Sequence, residues 1–325
     1  MREHDVARDK QRGVAGVIDT LSAGYAIVNR HPWVIAVPVL LDIFFWLGHH
    51  LSLAPLVQKM LVRMPVPVDV PAEMLQAYQD YRDGLARAGE SFNLFSLLVS
   101  HFPGIPSLMS TKEGLGPTIA LADPWAALGL SLLLPMAGIW LASAYYVGIG
   151  NQVRGVTDEA GQLWRRVWRT WGRLLGFLLM ALGVLLLFGL PLLVLALVAA
   201  AINTAFLSIV ASAVWLAALW AQFYLFFVLE AMVISDVGPI QAIRNSVAVV
   251  RFNLGSTLGL VVLIWVITLG MPLAWDALAQ NTPGTVVGII GNAYIATGLA
   301  AASMIYYRDR FAVLAERTDG GVQRG

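Results

Sequence analysis

Residues 174–200 and 205–229 form two long apolar stretches, and the turn between them carries no Lys or Arg. About 20 mostly apolar residues in a helix cover about 30 Å of hydrocarbon at 1.5 Å per residue. A chain with such a pair has to satisfy its backbone without water, and only helices and closed barrels do that. Strand-like alternation is absent, which leaves helices. The same length test finds four more candidate spans: 33–54, 124–149, 256–275 and 283–307. Asp42, His49 and His50 interrupt the first of these. Composition agrees, with 58% hydrophobic and 13% charged residues against about 25% charged in soluble chains. The expected fold class is an all-α, polytopic membrane protein with six transmembrane helices.

Lys and Arg in the connections set the expected orientation, because cytoplasmic flanks retain them. Segments 1–32, 151–173, 230–255 and 308–325 hold sixteen of the 21 Lys and Arg residues, and all four fall on one side of a six-span arrangement. The other five lie in the 55–123 loop, which is long enough to escape the rule. Both termini are therefore expected in the cytoplasm and the protein in the cell membrane. The expected division is a cytoplasmic N-terminus over 1–32, a transmembrane domain over 33–307 with an outer loop at 55–123, and a cytoplasmic tail over 308–325. No removable signal peptide is expected, since the charged first twelve residues lead into an amphipathic stretch. Trp33, Trp125 and Trp275 fall at span ends, where an indole keeps its ring apolar and its N–H wet. The deeper Trp140, Trp215, Trp220 and Trp265 read as packing or lipid contact.

Leu163, Trp164, Val167, Trp168 and Trp171 share one helical face, with Arg165, Arg166, Arg169 and Arg173 on the other. This pattern predicts an interfacial helix whose arginines meet anionic lipid. Weaker versions occur at 14–28 and 238–252. Each precedes an odd-numbered span, so the chain reads as three units of surface helix plus transmembrane hairpin. Such helices serve either to anchor span ends or to gather lipid.

After Glu230 comes the run Asp236-Val237-Gly238-Pro239-Ile240-Gln241-Ala242-Ile243-Arg244-Asn245-Ser246. This arrangement resembles the membrane domain attached to some bacterial glycerophosphoryl diester phosphodiesterases and its free-standing relatives. In that family an acidic residue ends a helix and a short helix of the same kind leads into the next span. The resemblance implies six-helix architecture over most of 14–310. It implies no enzyme activity, because the chain has no soluble barrel to carry phosphodiesterase chemistry.

Asp42 is the carboxylate expected at depth, where an ionised group costs at least about 2.5 kcal/mol. It reads either as a proton or cation site or as a structural group bonded to Gln222, Asn292 or a tryptophan N–H. The structural reading is favoured, because a lone carboxylate makes a poor relay. Gly284, Gly288, Asn292, Ala296 and Ala300, spaced by four, predict a close-packing stripe on the sixth span. Pro38, Pro135 and Pro191 fall inside spans and predict helix kinks, a device by which transporters form midplane sites.

In the outer loop, residues 72–88 read as an amphipathic helix and 92–99 as a short cap on the bundle or outer leaflet. His49, His50 and His101 share this side, but their spacing supports no metal site. Zero cysteines exclude disulfides and thiolate chemistry. No HExxH, GxSxG or phosphate loop is present, and no cofactor is implied. A net charge of +1 gives no global field for nucleic acid. The expected function is non-enzymatic: binding or moving lipid or a small amphiphile. The alternative is a scaffold for a protein partner, and a second copy of the chain is a further expected partner.

Overall fold

The computed structural model describes residues 15–65, 71–99, 102–112, 114–156 and 159–322. In chain order the helices are α1 (Val17–Arg30), α2 (Ala36–Leu47), α3 (Ala54–Arg63), α4 (Ala72–Ser91), α5 (Pro124–Arg154), α6 (Ala160–Ile202), α7 (Thr204–Tyr224), α8 (Val228–Ile234), α9 (Pro239–Phe252), α10 (Leu254–Leu278) and α11 (Thr282–Val322). Two short strands, β1 (His50–Ser52) and β2 (Thr118–Ala120), pair in parallel with Leu51 opposite Ile119. Five helical segments are long and apolar enough to cross a membrane, or six if the bent pair Val17–Arg30 and Pro32–Leu47 counts as one. The protein is an all-α polytopic membrane protein.

Four sequence expectations change. Residues 33–54 do not form one helix, because α2 ends at Leu47 and Gly48 donates its N–H to the Phe44 carbonyl at 2.8 Å before the chain enters β1. Pro32 ends the helix before α2. The residue preceding a proline is pushed out of the α region, and His31 has φ −131° and ψ 66°. Pro38 sits in the first turn of α2, where its missing N–H leaves no gap, so it makes no kink there. Pro135 and Pro191 do lie inside helices α5 and α6. The amphipathic residues 163–171 are the opening turns of the 43-residue α6, continuous with the span rather than a separate surface helix. Residues 308–322 likewise continue α11. Val14, His101 and the basic residues before position 15 lie outside the described residues.

The chain forms two compact units. One comprises 1–32, 146–270 and 295–325. Here α1 packs on α11 at backbone distance: a Cβ on Gly24 would lie 2.5 Å from the Gly298 carbonyl oxygen, and one on Gly298 would lie 2.4 Å from the Tyr25 ring. Helices α6 and α7 form a hairpin, while α8 and α9 fill the interior with Val228, Met232 and Val249. The other unit comprises 33–145 and 271–294. In it α3 packs on α4 with Gly89 against Val57, and Asn93 ties the region to β1. The Asn93 side chain accepts from the Leu51 N–H and the Phe95 N–H, both at 3.1 Å.

The buried stripe of α11 runs through Thr285, Ile289, Ala293, Thr297 and Ala301, one residue along from the predicted row. Gly288 is buried against Leu108, whereas Gly284, Asn292 and Ala296 are half-buried.

Candidate functional site

The first unit contains a polar seam that begins where α7 breaks. Residues 225–227 interrupt the helix, which would leave backbone groups unpaired in an apolar setting. Ser246 on α9 closes the gap: its hydroxyl accepts from the Phe227 N–H at 3.1 Å and donates to the Tyr224 carbonyl at 2.7 Å. The break leads into α8, whose residues Val228 to Val233 are buried and include Glu230.

Glu230 is 7% exposed. Its Oε1 accepts a 2.5 Å hydrogen bond from the Ser303 hydroxyl on α11, and its Oε2 has no hydrogen-bond partner. Two consecutive buried tyrosines on α11 extend the seam. The Tyr307 hydroxyl bonds Ser235 at 2.8 Å and accepts from the Asn245 amide at 3.3 Å, and Asn245 accepts from Gln241 at 2.8 Å. The Tyr306 hydroxyl bonds Ser256 at 2.7 Å and Thr257 at 3.0 Å, and its ring stacks on Phe227 at 5.4 Å.

Asp236 follows α8 with φ 53°, a left-handed conformation that Asp tolerates better than most residues. Its carboxylate pairs with Arg169 at 2.9 Å and with Arg173. Arg166 donates to Asn151 at 3.1 Å, alongside Arg154 at 2.6 Å. Three of the four arginines expected to face lipid thus hold protein partners, and Arg165 is exposed. The reason is the buried stripe Val167, Thr170 and Leu174, which faces the protein and takes the flanking arginines with it.

In the other unit Asp42 is fully buried, with both oxygens occupied by the segment after Pro106. Its Oδ1 accepts from the Ser107 hydroxyl at 2.5 Å and from the Leu108 and Met109 N–H groups at 3.0 Å, and its Oδ2 also accepts from the Leu108 N–H at 3.0 Å. Its partners are therefore neither Gln222, exposed on α7, nor Asn292, half-buried on α11. The three polar residues grouped from the sequence do not form one site. Lys112, at the end of the same segment, pairs with Asp276 beside a cavity of about 500 Å³ lined by Trp46, Met109, Asn281 and Thr285. Among the described residues no group of three His, Asp or Glu is placed to hold a metal.

Residues 92–307, two thirds of the chain, match the Domain of unknown function (DUF7847). The chain belongs to the DUF7847 family. No curated protein and no solved structure matches it. The DUF7847 match carries no link to the glycerophosphoryl diester phosphodiesterase membrane domain that the 236–246 run resembles. The DUF7847 region takes in the whole polar seam, from Glu230 through Tyr307, and also the Ser107–Met109 segment. Asp42, which that segment encloses, lies before it.

The DUF7847 region also contains an apolar groove in the first unit, between α7 and α10. It encloses about 230 Å³ and is lined by Leu216, Leu219, Trp220, Phe223, Val261 and Trp265, with almost no polar surface. Trp220 stacks on Tyr224 at 6.0 Å, which holds its indole at the groove wall.

What sequence reasoning missed is Glu230. It closes the fourth apolar stretch of the sequence, but its burial against Ser303 on α11 is a contact across 73 residues that no local pattern marks. The hydroxyl that repairs the break, Ser246, was visible in the 236–246 run, although its partners were not.

Proposed function

We propose that this DUF7847 protein is a non-enzymatic membrane protein that binds a lipid or small amphiphile, or moves it within the bilayer. The α7–α10 groove carries this reading: it lies on two apolar helices, is walled by Trp220 and Trp265, and contains almost no polar surface. Its volume is below the roughly 300–1,000 Å³ of enclosed small-molecule pockets, which suits one acyl chain with its headgroup outside. We place the protein in the cell membrane with both termini in the cytoplasm, on the strength of the Lys and Arg distribution.

The α6–α7 hairpin favours a second reading. Of the most apolar windows of these two segments, 6% and 0% of residues are buried. Such a hairpin offers a long surface to lipid or to a protein partner, which is the scaffold alternative.

The deciding experiment is native mass spectrometry of the protein extracted with its surrounding bilayer, comparing wild type with Trp220→Ala/Trp265→Ala. A retained amphiphile in wild type that is absent from the folded double variant supports binding. A stoichiometric protein partner, with only bulk lipid in both proteins, overturns it in favour of the scaffold.

A further inference from the structure

The two carboxyl groups buried among the described residues stand in opposite surroundings. Asp42 accepts four hydrogen-bond contacts and neither of its oxygens is idle. Glu230 has a single donor, Ser303, and an oxygen sealed from solvent with nothing bonded to it. A buried polar atom left this way calls for an explanation, because such groups are nearly always satisfied in folded proteins.

Countercharge does not supply one. Among the described residues, the cations on the elements around α8 are bonded elsewhere or point outward. On α6, Arg169 and Arg173 hold Asp236, and Arg166 binds Asn151. On α5, Arg154 binds Asn151 and the Gly150 carbonyl. On α11, Arg308 binds Asp309 and the Val153 carbonyl, while Arg310 donates to the Ala15 carbonyl and covers the Tyr306 ring, its buried Nε having no acceptor. Arg244 and Arg251 on α9 are exposed. Two buried tyrosines of α11 are also nearby: the Tyr307 hydroxyl is held by Ser235 and Asn245, and the Tyr306 hydroxyl by Ser256 and Thr257. Moving a bare carboxylate into such a place costs several kcal/mol, and a bound proton removes that cost.

We propose that the Glu230–Ser303 pair is a proton-binding site in which the proton resides on Glu230 Oε2 and exchanges with water at the end of the molecule marked by Asp236. Access follows from position. Helix α7 alone covers about 31 Å at 1.5 Å per residue, so Glu230 lies near the end of the apolar segment Thr204–Ile234 rather than at its middle. Asp236, whose side chain is 39% exposed, is six residues further on. A hydrogen-bonded series leads in from the exposed Gln241 through Asn245 to Tyr307 and Ser235, which flank the C-terminal end of α8.

Infrared difference spectroscopy of the full chain in phosphatidylcholine/phosphatidylglycerol vesicles, taken across a pH series, tests this. Wild type is expected to show a protonated-carboxyl stretch that bleaches reversibly as pH rises. The band should be lost in Glu230→Gln and shifted in frequency in Ser303→Ala, which keeps the carboxyl but removes its donor. Should Glu230→Gln fail to fold, the Ser303→Ala shift assigns the band by itself. Three results would overturn the proposal: no wild-type band at any pH, a band that persists until the protein unfolds, or a band removed by sodium at fixed pH. The last would make the site one for a metal cation.

Discussion

Asp42 shows how one side chain can hold a distant segment. Asp42→Ala leaves the Ser107 hydroxyl and two backbone N–H groups without their acceptor, and each buried unsatisfied group costs about 1–3 kcal/mol. We expect a loss of about 3 kcal/mol or more, read as a lower melting temperature and faster proteolysis within residues 102–123. Asp42→Asn keeps one oxygen acceptor and should lose less. Little of this was legible beforehand. The sequence placed a carboxylate at depth and named side-chain partners, whereas the donors are mostly backbone N–H groups 66 and 67 residues away. Backbone donors carry no sequence signature. Glycines give a second residue-level test. Gly24→Ala drives a Cβ to 2.5 Å from the Gly298 carbonyl and 2.7 Å from the Ala302 nitrogen, both backbone atoms. Overpacking of this kind costs about 1–3 kcal/mol or more. Gly84→Ala in α4 meets open space and should instead stabilise by up to about 1 kcal/mol through helix propensity. Thermal denaturation of the two variants in one detergent separates the effects.

Among the elements, the sequence was most informative where a helix begins or ends on a local signal. The candidate span starting at 124 opens as α5 at Pro124, and the apolar runs 174–200 and 205–229 became α6 and α7, although the Asn203 cap between them was not anticipated. It was least informative about continuity. The Trp and Arg pattern of 163–173 has the same periodicity whether the helix lies on a membrane or enters it, and the contacts with Asp236 and Asn151 show that its basic side is met by protein. The offset stripe on α11 has a similar cause, because small residues at Gly284 and Ala296 permit close packing without compelling it. The Arg173–Asp236 pair is measurable. Its side chains are 19% and 39% exposed, so a double-mutant cycle with Arg173→Ala and Asp236→Ala should return a coupling of about 0.5–1 kcal/mol that shrinks with salt. No coupling at low salt would mean the pair does not hold α6 to the segment before α9.

The whole molecule is sorted by where its charge lies. Sixteen of the 21 Lys and Arg residues fall in segments expected on the cytoplasmic side, while α4 lies in the loop expected outside. Because the chain has no cysteine, single introduced thiols report this directly. Gln76→Cys on α4 and Gln162→Cys at the start of α6 are both at exposed positions. An impermeant thiol reagent should label the first in intact cells and the second only after permeabilisation, and the reverse result would invert the topology.

The contact of α1 with α11 also bears on how the protein is made. Helix α1 leaves the ribosome about 270 residues before the surface on which Gly24 rests, which belongs to Gly298 and Ala302. Chains grow at about 5–20 residues per second, so α1 waits tens of seconds at the membrane with its glycine face bare. Any factor that shields nascent membrane segments has that interval in which to act. A ribosome stalled before residue 298 would hold a chain in which α11 is incomplete and the first unit is still open.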